Sequence, residues 1–132
     1  MISYNLAKKL RIQPGQRALF INAPEGYLEA LNPLPEDVRL QPETDQNMDF
    51  VQLFVKNNAE LENMGEKAVD AVKYDGLLWV SYPKKSSKLS SDISRDAVWQ
   101  IMEQWDVRPV TQISIDETWS ALRFRPPDKV GK

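Results

Sequence analysis

The chain has 132 residues, of which 42% are hydrophobic and 27% charged, and 17 lysines and arginines against 19 aspartates and glutamates leave a net charge of −2. This length corresponds to one domain, and the charge balance argues against a dedicated nucleic-acid binder, which needs a basic surplus. The sequence contains neither cysteine nor histidine, which excludes disulfides, cysteine-type zinc sites and Ser-His-Asp catalysis.

The first half of the chain alternates apolar runs with turn residues. It predicts, in order, a short amphipathic helix ending at Pro14-Gly15, a buried strand at residues 17–23, a short helix ending before Pro33, a polar edge strand at residues 37–41 and a buried strand at residues 49–55.

The second half opens with a capping box, because Asn57 is followed three residues later by Glu60. The helix that starts there is predicted to end at Tyr74-Asp75-Gly76. The further elements are a buried strand at residues 77–82, a helix capped by Ser94 between Ile93 and Val98, and strands at residues 108–115 and 118–124. The last two strands must be antiparallel, because a two-residue link joins them.

This alternation predicts one α/β domain, residues 1–125, followed by a flexible tail, residues 126–132. We expect three layers, with a mostly parallel, Rossmann-like sheet covered by helices on both sides. In such sheets ligands bind beyond the carboxyl ends of the strands. The strands at residues 17–23 and 49–55 would flank the point where the strand order reverses.

Several segments resemble a family of small bacterial proteins catalogued as a domain of unknown function. The resemblance covers residues 6–125, and its most specific parts are PKKSS and DETWS. It implies no established activity.

The order of elements is also distantly similar to the later half of class I S-adenosylmethionine-dependent methyltransferases. That resemblance implies the sheet order 2-1-3-4-6-5 with the last strand antiparallel. The same family needs a glycine-rich first turn and an acid that closes the second strand. Here the turn reads Asn22-Ala23-Pro24-Glu25-Gly26, and the end of the second strand reads Gln41-Pro42-Glu43, so the family's site is not matched. We expect a non-catalytic domain that binds a small anionic ligand or a protein partner at the carboxyl edge of its sheet. The alternative is a degenerate methyltransferase-like protein.

The loop Lys84-Lys85-Ser86-Ser87 leaves a parallel strand at the ligand-binding edge with two ammonium groups and two hydroxyls. It predicts either a site for a phosphate or carboxylate or a solvated polar loop. The full set of residues predicted to line this edge is Asn22, Lys56, Lys84, Lys85, Ser86, Ser87 and Trp119.

Residues 116–120 (DETWS) should lie at the same edge, because the strand before them runs parallel to its neighbours. Two interpretations remain open for this turn. Asp116 and Glu117 pair with Lys84 or Lys85, or the turn forms a second pocket wall with Trp119 as its apolar surface.

Trp79 is predicted to lie in the core, whereas Trp99 falls one position off its helical stripe and indicates a contact surface. The expected partners are therefore a small anionic ligand, a protein partner or a second copy of the chain. No nucleic acid, membrane or metal is expected, and no cofactor is identified. The absence of a signal-peptide core or a membrane-length apolar run predicts a cytoplasmic protein.

Overall fold

The structure is a computed structural model that describes residues 6–31, 33–42, 46–85 and 92–131. Its helices are α1 (Leu6–Lys9), α2 (Tyr27–Leu31), α3 (Asn58–Ala71) and α4 (Arg95–Glu103). Its strands are β1 (Arg17–Ile21), β2 (Arg39–Leu40), β3 (Met48–Phe54), β4 (Val72–Pro83), β5 (Arg108–Ser114) and β6 (Trp119–Arg125).

The six strands form one sheet in the order β2-β1-β3-β4-β6-β5. β1 pairs in parallel with β2 and β3, and β3 pairs in parallel with β4. β6 is antiparallel to both of its neighbours, β4 and β5. The predicted α/β class and strand order are confirmed, and the two-residue β2 lies at the sheet edge as expected.

Each face of the sheet carries its own hydrophobic core. The α3–α4 face is closed by those two helices over mainly aliphatic strand residues, among them Leu53, Val80 and Leu122. The α1–α2 face is closed by the short helices over a more aromatic set that includes Phe50, Phe54 and Trp79. This double burial explains the nearly unbroken apolar runs of β3 and β4.

The predicted helix starts are confirmed by their hydrogen bonds. Asn57 Oδ1 accepts from the Glu60 backbone N–H at 2.8 Å, and Ser94 Oγ accepts from the Ala97 N–H at 3.2 Å. The Glu60 carboxylate returns to the N–H of Lys56, at 2.6 Å, rather than to the cap residue itself. This bond ties the residue before the cap to the first turn of α3 instead of completing the reciprocal capping box.

The predicted end of α3 is wrong, because the helix stops at Ala71 and residues 72–76 already belong to β4. Long-range bonds hold this extension in strand conformation. The Asp75 carboxylate accepts from Arg125 Nε and Nη2 at 3.0 and 3.1 Å, and Tyr74 donates its hydroxyl proton to Asp128. Asp128 lies in a short 3₁₀ helix, Pro127–Lys129, within the segment predicted to be a tail.

In the described part of the chain, every helix is too short or too polar to cross a bilayer.

Candidate ligand site at the carboxyl edge of the sheet

The strand register brings the ends of four strands together at one edge. Ile21 of β1 lies opposite Leu53 of β3, and Leu53 lies opposite Val80 of β4. Pro83, the last residue of β4, pairs with Trp119, the first residue of β6. We call this the carboxyl edge. Three predicted residues lie just after strand ends there: Asn22 after β1, Lys56 after β3 and Lys84 after β4. The DETWS turn leads into the start of β6 at the same edge.

Asn22 connects the ends of β1 and β3. Its backbone has a φ of 64°, a left-handed conformation that asparagine tolerates better than most residues. Its side-chain Nδ2 donates to the Phe54 carbonyl oxygen at 3.0 Å. The amide group is therefore used to tie two neighbouring strands at the centre of the edge.

Lys84 is held against the β5–β6 turn at two points. Its backbone N–H donates to the Thr118 carbonyl at 2.7 Å, and its Nζ donates to Ser114 Oγ at 2.6 Å. Lys85 and Lys56 are both exposed. Ser86 and Ser87 lie outside the described residues, so the structure describes only the lysines of the predicted loop.

The Asp116 carboxylate is used within its own turn. Its Oδ1 accepts from the backbone N–H groups of Thr118 and Trp119, both at 2.8 Å. This is the local bonding by which aspartate stabilises turns. It explains why an aspartate begins DETWS without requiring an ion pair to either lysine.

Trp119 lies in the core beneath the carboxyl edge. Its side chain is 6% exposed, and its ring meets that of Phe54 edge to face with centroids 5.2 Å apart. Phe54 in turn contacts Tyr27 in the same geometry, at 4.7 Å. Trp119 therefore supports the edge from below and offers little surface to a ligand.

A buried polar chain runs under the same edge. Tyr27 donates its hydroxyl proton to Gln52 Oε1 at 2.9 Å, and Gln52 Nε2 donates to Ser81 Oγ at 2.9 Å. Gln52 and Ser81 are fully buried, and burial strongly raises the pKa of Tyr27. The sequence prediction did not include this chain, although Gln52 and Ser81 are the polar interruptions of two apolar runs.

The first turn does not fit the cofactor of the methyltransferase resemblance. Asn22 crosses from β1 to β3, and Pro24 has no N–H to offer. Gly26, with a φ of 81°, is the single glycine of the turn. Glu43, the nearest acid after β2, lies outside the described residues.

Trp79 and Trp99 have the exposures predicted from the sequence, one buried and the other partly exposed. Trp79 is fully buried, and Trp99 is 40% exposed. Trp99 lines a groove of about 480 Å³ between α4 and β5, together with Arg95, Arg108 and Val130. The predicted contact surface around Trp99 therefore corresponds to this groove.

No protein-family model matches the chain, and no curated protein matches it significantly by sequence. Solved structures do match over most of the chain. A SAM-dependent methyltransferase from Aquifex aeolicus is 13% identical with a TM-score of 0.63, covering 91% of this chain and 87% of that one.

Two other methyltransferases are similar in fold to the same degree. The N-methyltransferase NodS from Bradyrhizobium japonicum is 13% identical with a TM-score of 0.61, covering 92% of this chain and 93% of NodS. The 1,6-didemethyltoxoflavin-N1-methyltransferase from Burkholderia thailandensis is 10% identical with a TM-score of 0.60, covering 93% and 77%. At these identities the likeness is one of fold alone: the chain has a Rossmann-like, methyltransferase-like fold.

Proposed function

We propose that this domain binds a small anionic ligand at the carboxyl edge of its sheet and does not catalyse a reaction on it. The observation that carries the proposal is the placement of Lys84, whose ammonium group is fixed by Ser114 beside the exposed Lys85. An ammonium group held in one position loses less freedom when it binds a phosphate or carboxylate.

The surroundings of Lys84 favour the same chemistry. Strand ends in a parallel sheet form the usual ligand crevice. The 14-residue helix α3 begins at this edge, after Asn57, and the amino end of a helix carries partial positive charge. Lys56 lies between β3 and α3 and adds a further positive charge there.

The lack of catalysis is supported by the residues available for chemistry. The sequence contains no histidine or cysteine, the side chains most used as general bases and nucleophiles near neutral pH. Asn22 and Asp116 at the edge are already bonded to the backbone, to Phe54 and to the DETWS turn. Binding of an anion, in contrast to catalysis, requires no general base or nucleophile.

Isothermal titration calorimetry and thermal shift would test the proposal with nucleotides, phosphorylated metabolites, S-adenosylmethionine and S-adenosylhomocysteine. We expect at least one ligand class to bind the wild type and to bind Lys84→Ala/Lys85→Ala at least about tenfold more weakly, because two charge-assisted contacts are lost. The matched control Lys8→Ala/Lys67→Ala changes the net charge equally and should bind normally. A flat response across all ligands would contradict the proposal.

Methyl transfer is the second candidate function, and the sheet order together with the NodS similarity favours it. It requires S-adenosylmethionine or its demethylated product to bind in the calorimetric series, and a labelled methyl group to reach an acceptor. Binding of neither molecule would remove this candidate.

Association with a protein, including a second copy, is supported by the exposed Trp99 groove. Light scattering of the wild type and Trp99→Ala over a range of concentrations would test self-association. A monomer at every concentration, with no partner recovered in pull-downs, would leave the groove without this role.

A further inference from the structure

A cavity of about 260 Å³ opens where β4 begins, at the end of the sheet opposite the carboxyl edge. Its floor is made of buried apolar side chains: Leu78 of β4, Val107 before β5 and Phe124 of β6. Its rim carries exposed polar residues, among them Tyr74 and Asp106. An apolar floor below a few polar groups is the usual form of a small-molecule site.

An irregularity of β4 forms one wall of this cavity. In the ladder with β3, Val72 and Leu77 pair with residues 48 and 50, so residues 73–76 stand opposite a single residue of β3. All four of these residues line the cavity. A Cβ on Gly76 would lie 2.7 Å from Val72 Cγ2, so a larger residue would disturb this wall. Bulges of this kind redirect side chains and are common beside functional sites.

The cationic residues of the lining already have carboxylate partners. Lys73 Nζ lies 2.7 Å from Asp49 Oδ1, and Arg125 Nε lies 3.0 Å from Asp75 Oδ1. The Asp106 carboxylate, in contrast, takes part in no hydrogen bond or ion pair with another described residue. It is therefore available to a cationic group that enters the cavity.

Two helices end at this cavity. α3 ends at Ala71 and contributes Val69 to the lining. α4 ends at Glu103, two residues before Trp105, which also lines the cavity. Neither helix has a basic residue in its last turn. Because the carboxyl end of a helix carries partial negative charge, both helix ends favour a cation, as Asp106 does.

We propose that this cavity binds a small organic cation, an amine with an aromatic or aliphatic body. The apolar floor accommodates the body, and the Asp106 carboxylate accepts hydrogen bonds from the ammonium group. The half-buried ring of Trp105 lines the same space, and indole rings attract both apolar groups and ammonium groups. The site differs from the proposed anion site in its residues, its position and the charge of its ligand, and it does not depend on that proposal.

Titration with phenylethylamine, which is a cation at neutral pH, tests this site by heteronuclear NMR. The expected result is a saturable shift of the Trp105 indole N–H and Gly76 amide signals. Phenylethanol is the neutral analogue and should bind at least about tenfold more weakly, because it lacks one charge-assisted contact. Phenylpropionate, the anionic analogue, should bind more weakly still. Equal affinities for the amine and the alcohol would overturn the assignment to a cation.

Asp106→Asn should abolish the preference for the amine over the alcohol. Asparagine tolerates the left-handed φ of 61° at this position, so the variant should keep the fold. Glu103→Gln is the matched control, because it removes the same charge three residues away and outside the lining. It should leave the preference unchanged, and a preference that survives in Asp106→Asn would contradict the role of Asp106.

Val69→Trp should fill the cavity from α3 and abolish binding of the amine. Glu62→Trp places the same side chain on an exposed position of α3 outside the cavity and should bind normally. Lys84→Ala/Lys85→Ala should also bind the amine normally, which separates this site from the carboxyl edge. The inference would be overturned by a wild type without shifts at the cavity, or by binding that survives in a folded Val69→Trp.

Discussion

The α3–α4 face and the α1–α2 face of the same sheet are covered by helices of very different length. α3 and α4 have 14 and nine residues, whereas α1 and α2 have four and five. Long helices can bury a continuous apolar stripe, but helices of one turn contribute little area and form poorly by themselves.

The α1–α2 face compensates with larger side chains and with buried hydrogen bonds. The rings of Tyr27, Phe54 and Trp119 pack edge to face, with centroids 4.7 and 5.2 Å apart. Trp79 bonds to the Leu10 carbonyl, and Gln52 bonds both Tyr27 and Ser81. A sheet face can therefore be closed by aromatic packing and polar ties where helical cover is short.

The largest expected effect compares neighbouring residues of β3 that point to opposite faces. Phe54→Ala should lower the free energy of unfolding by about 4–5 kcal/mol and Leu53→Ala by about 3 kcal/mol, as measured by urea denaturation. The difference arises because Phe54 also loses its ring pairs with Tyr27 and Trp119. Phe54→Leu isolates those pairs and should cost about 1–2 kcal/mol. A neutral Phe54→Leu would mean that aromatic geometry adds nothing on this face.

The buried polar chain is expected to give the next largest effect. Gln52→Met leaves the Tyr27 hydroxyl and Ser81 Oγ without their partner, and should cost about 2–4 kcal/mol. The triple variant Tyr27→Phe/Gln52→Met/Ser81→Ala removes every member of the chain and should recover most of that loss. If the triple variant unfolds as readily as Gln52→Met, unsatisfied polar groups are not the cause.

The α3–α4 face is probed by Gly65→Ala. A Cβ on Gly65 would meet the half-buried ring of Trp105, with Cη2 at 2.9 Å. The substitution should cost about 1–3 kcal/mol by overpacking, although glycine to alanine in a helix usually stabilises by about 1 kcal/mol. In a Trp105→Leu background the same change should be neutral or stabilising. A penalty that persists there would place the strain in the helix rather than at the ring.

The smallest expected effect is a difference between the two faces in how the free energy of unfolding depends on alkaline pH. Burial raises the pKa of Tyr27 above its ordinary value. Its contribution is therefore fully present below the unfolded-state pKa of about 10, and it is lost as the pH rises further, by about 1.4 kcal/mol per pH unit.

Tyr27→Phe should flatten this decline in a series of urea titrations at increasing pH. Tyr82 on the α3–α4 face is the matched comparison. Burial raises its pKa as well, but the charge of Arg95 opposes the shift. Tyr82→Phe should change the slope less, and an equal change in the two variants would contradict the contrast between the faces.

The buried strands and the helix caps were predictable because their signals are local or periodic, whereas the strand order followed from the resemblance to the methyltransferase fold. Apolar runs separated by turn residues identify buried strands, and Asn57 and Ser94 stand three residues before the N–H groups that they bond. The position of Trp99 off its helical stripe also predicted its exposure. In each case the deciding interaction lies within a few residues of the sequence.

The remaining features depend on contacts between distant parts of the chain. β4 begins at Val72 because Asp75 bonds Arg125, 50 residues away. The burial of Arg123 accompanies its pairing with Trp79, whose Nε1 bonds the Leu10 carbonyl 69 residues away. At the candidate site, the edge shared by Asn22 and Lys84 followed from the predicted topology, whereas the bond from Lys84 to Ser114 depends on side-chain placement.

The position of β6 has a consequence for synthesis on the ribosome. β6 is the last strand in sequence, yet it lies between β4 and β5 and is buried over residues 119–124. Until residue 125 has emerged, the nascent chain leaves one side of β4 without a hydrogen-bonded neighbour, including Trp79, Val80 and Ser81. An unpaired apolar strand of this kind readily recruits another chain. Residues 78–83 are therefore the part of the sheet that stays open to pairing with another chain until β6 has been synthesised.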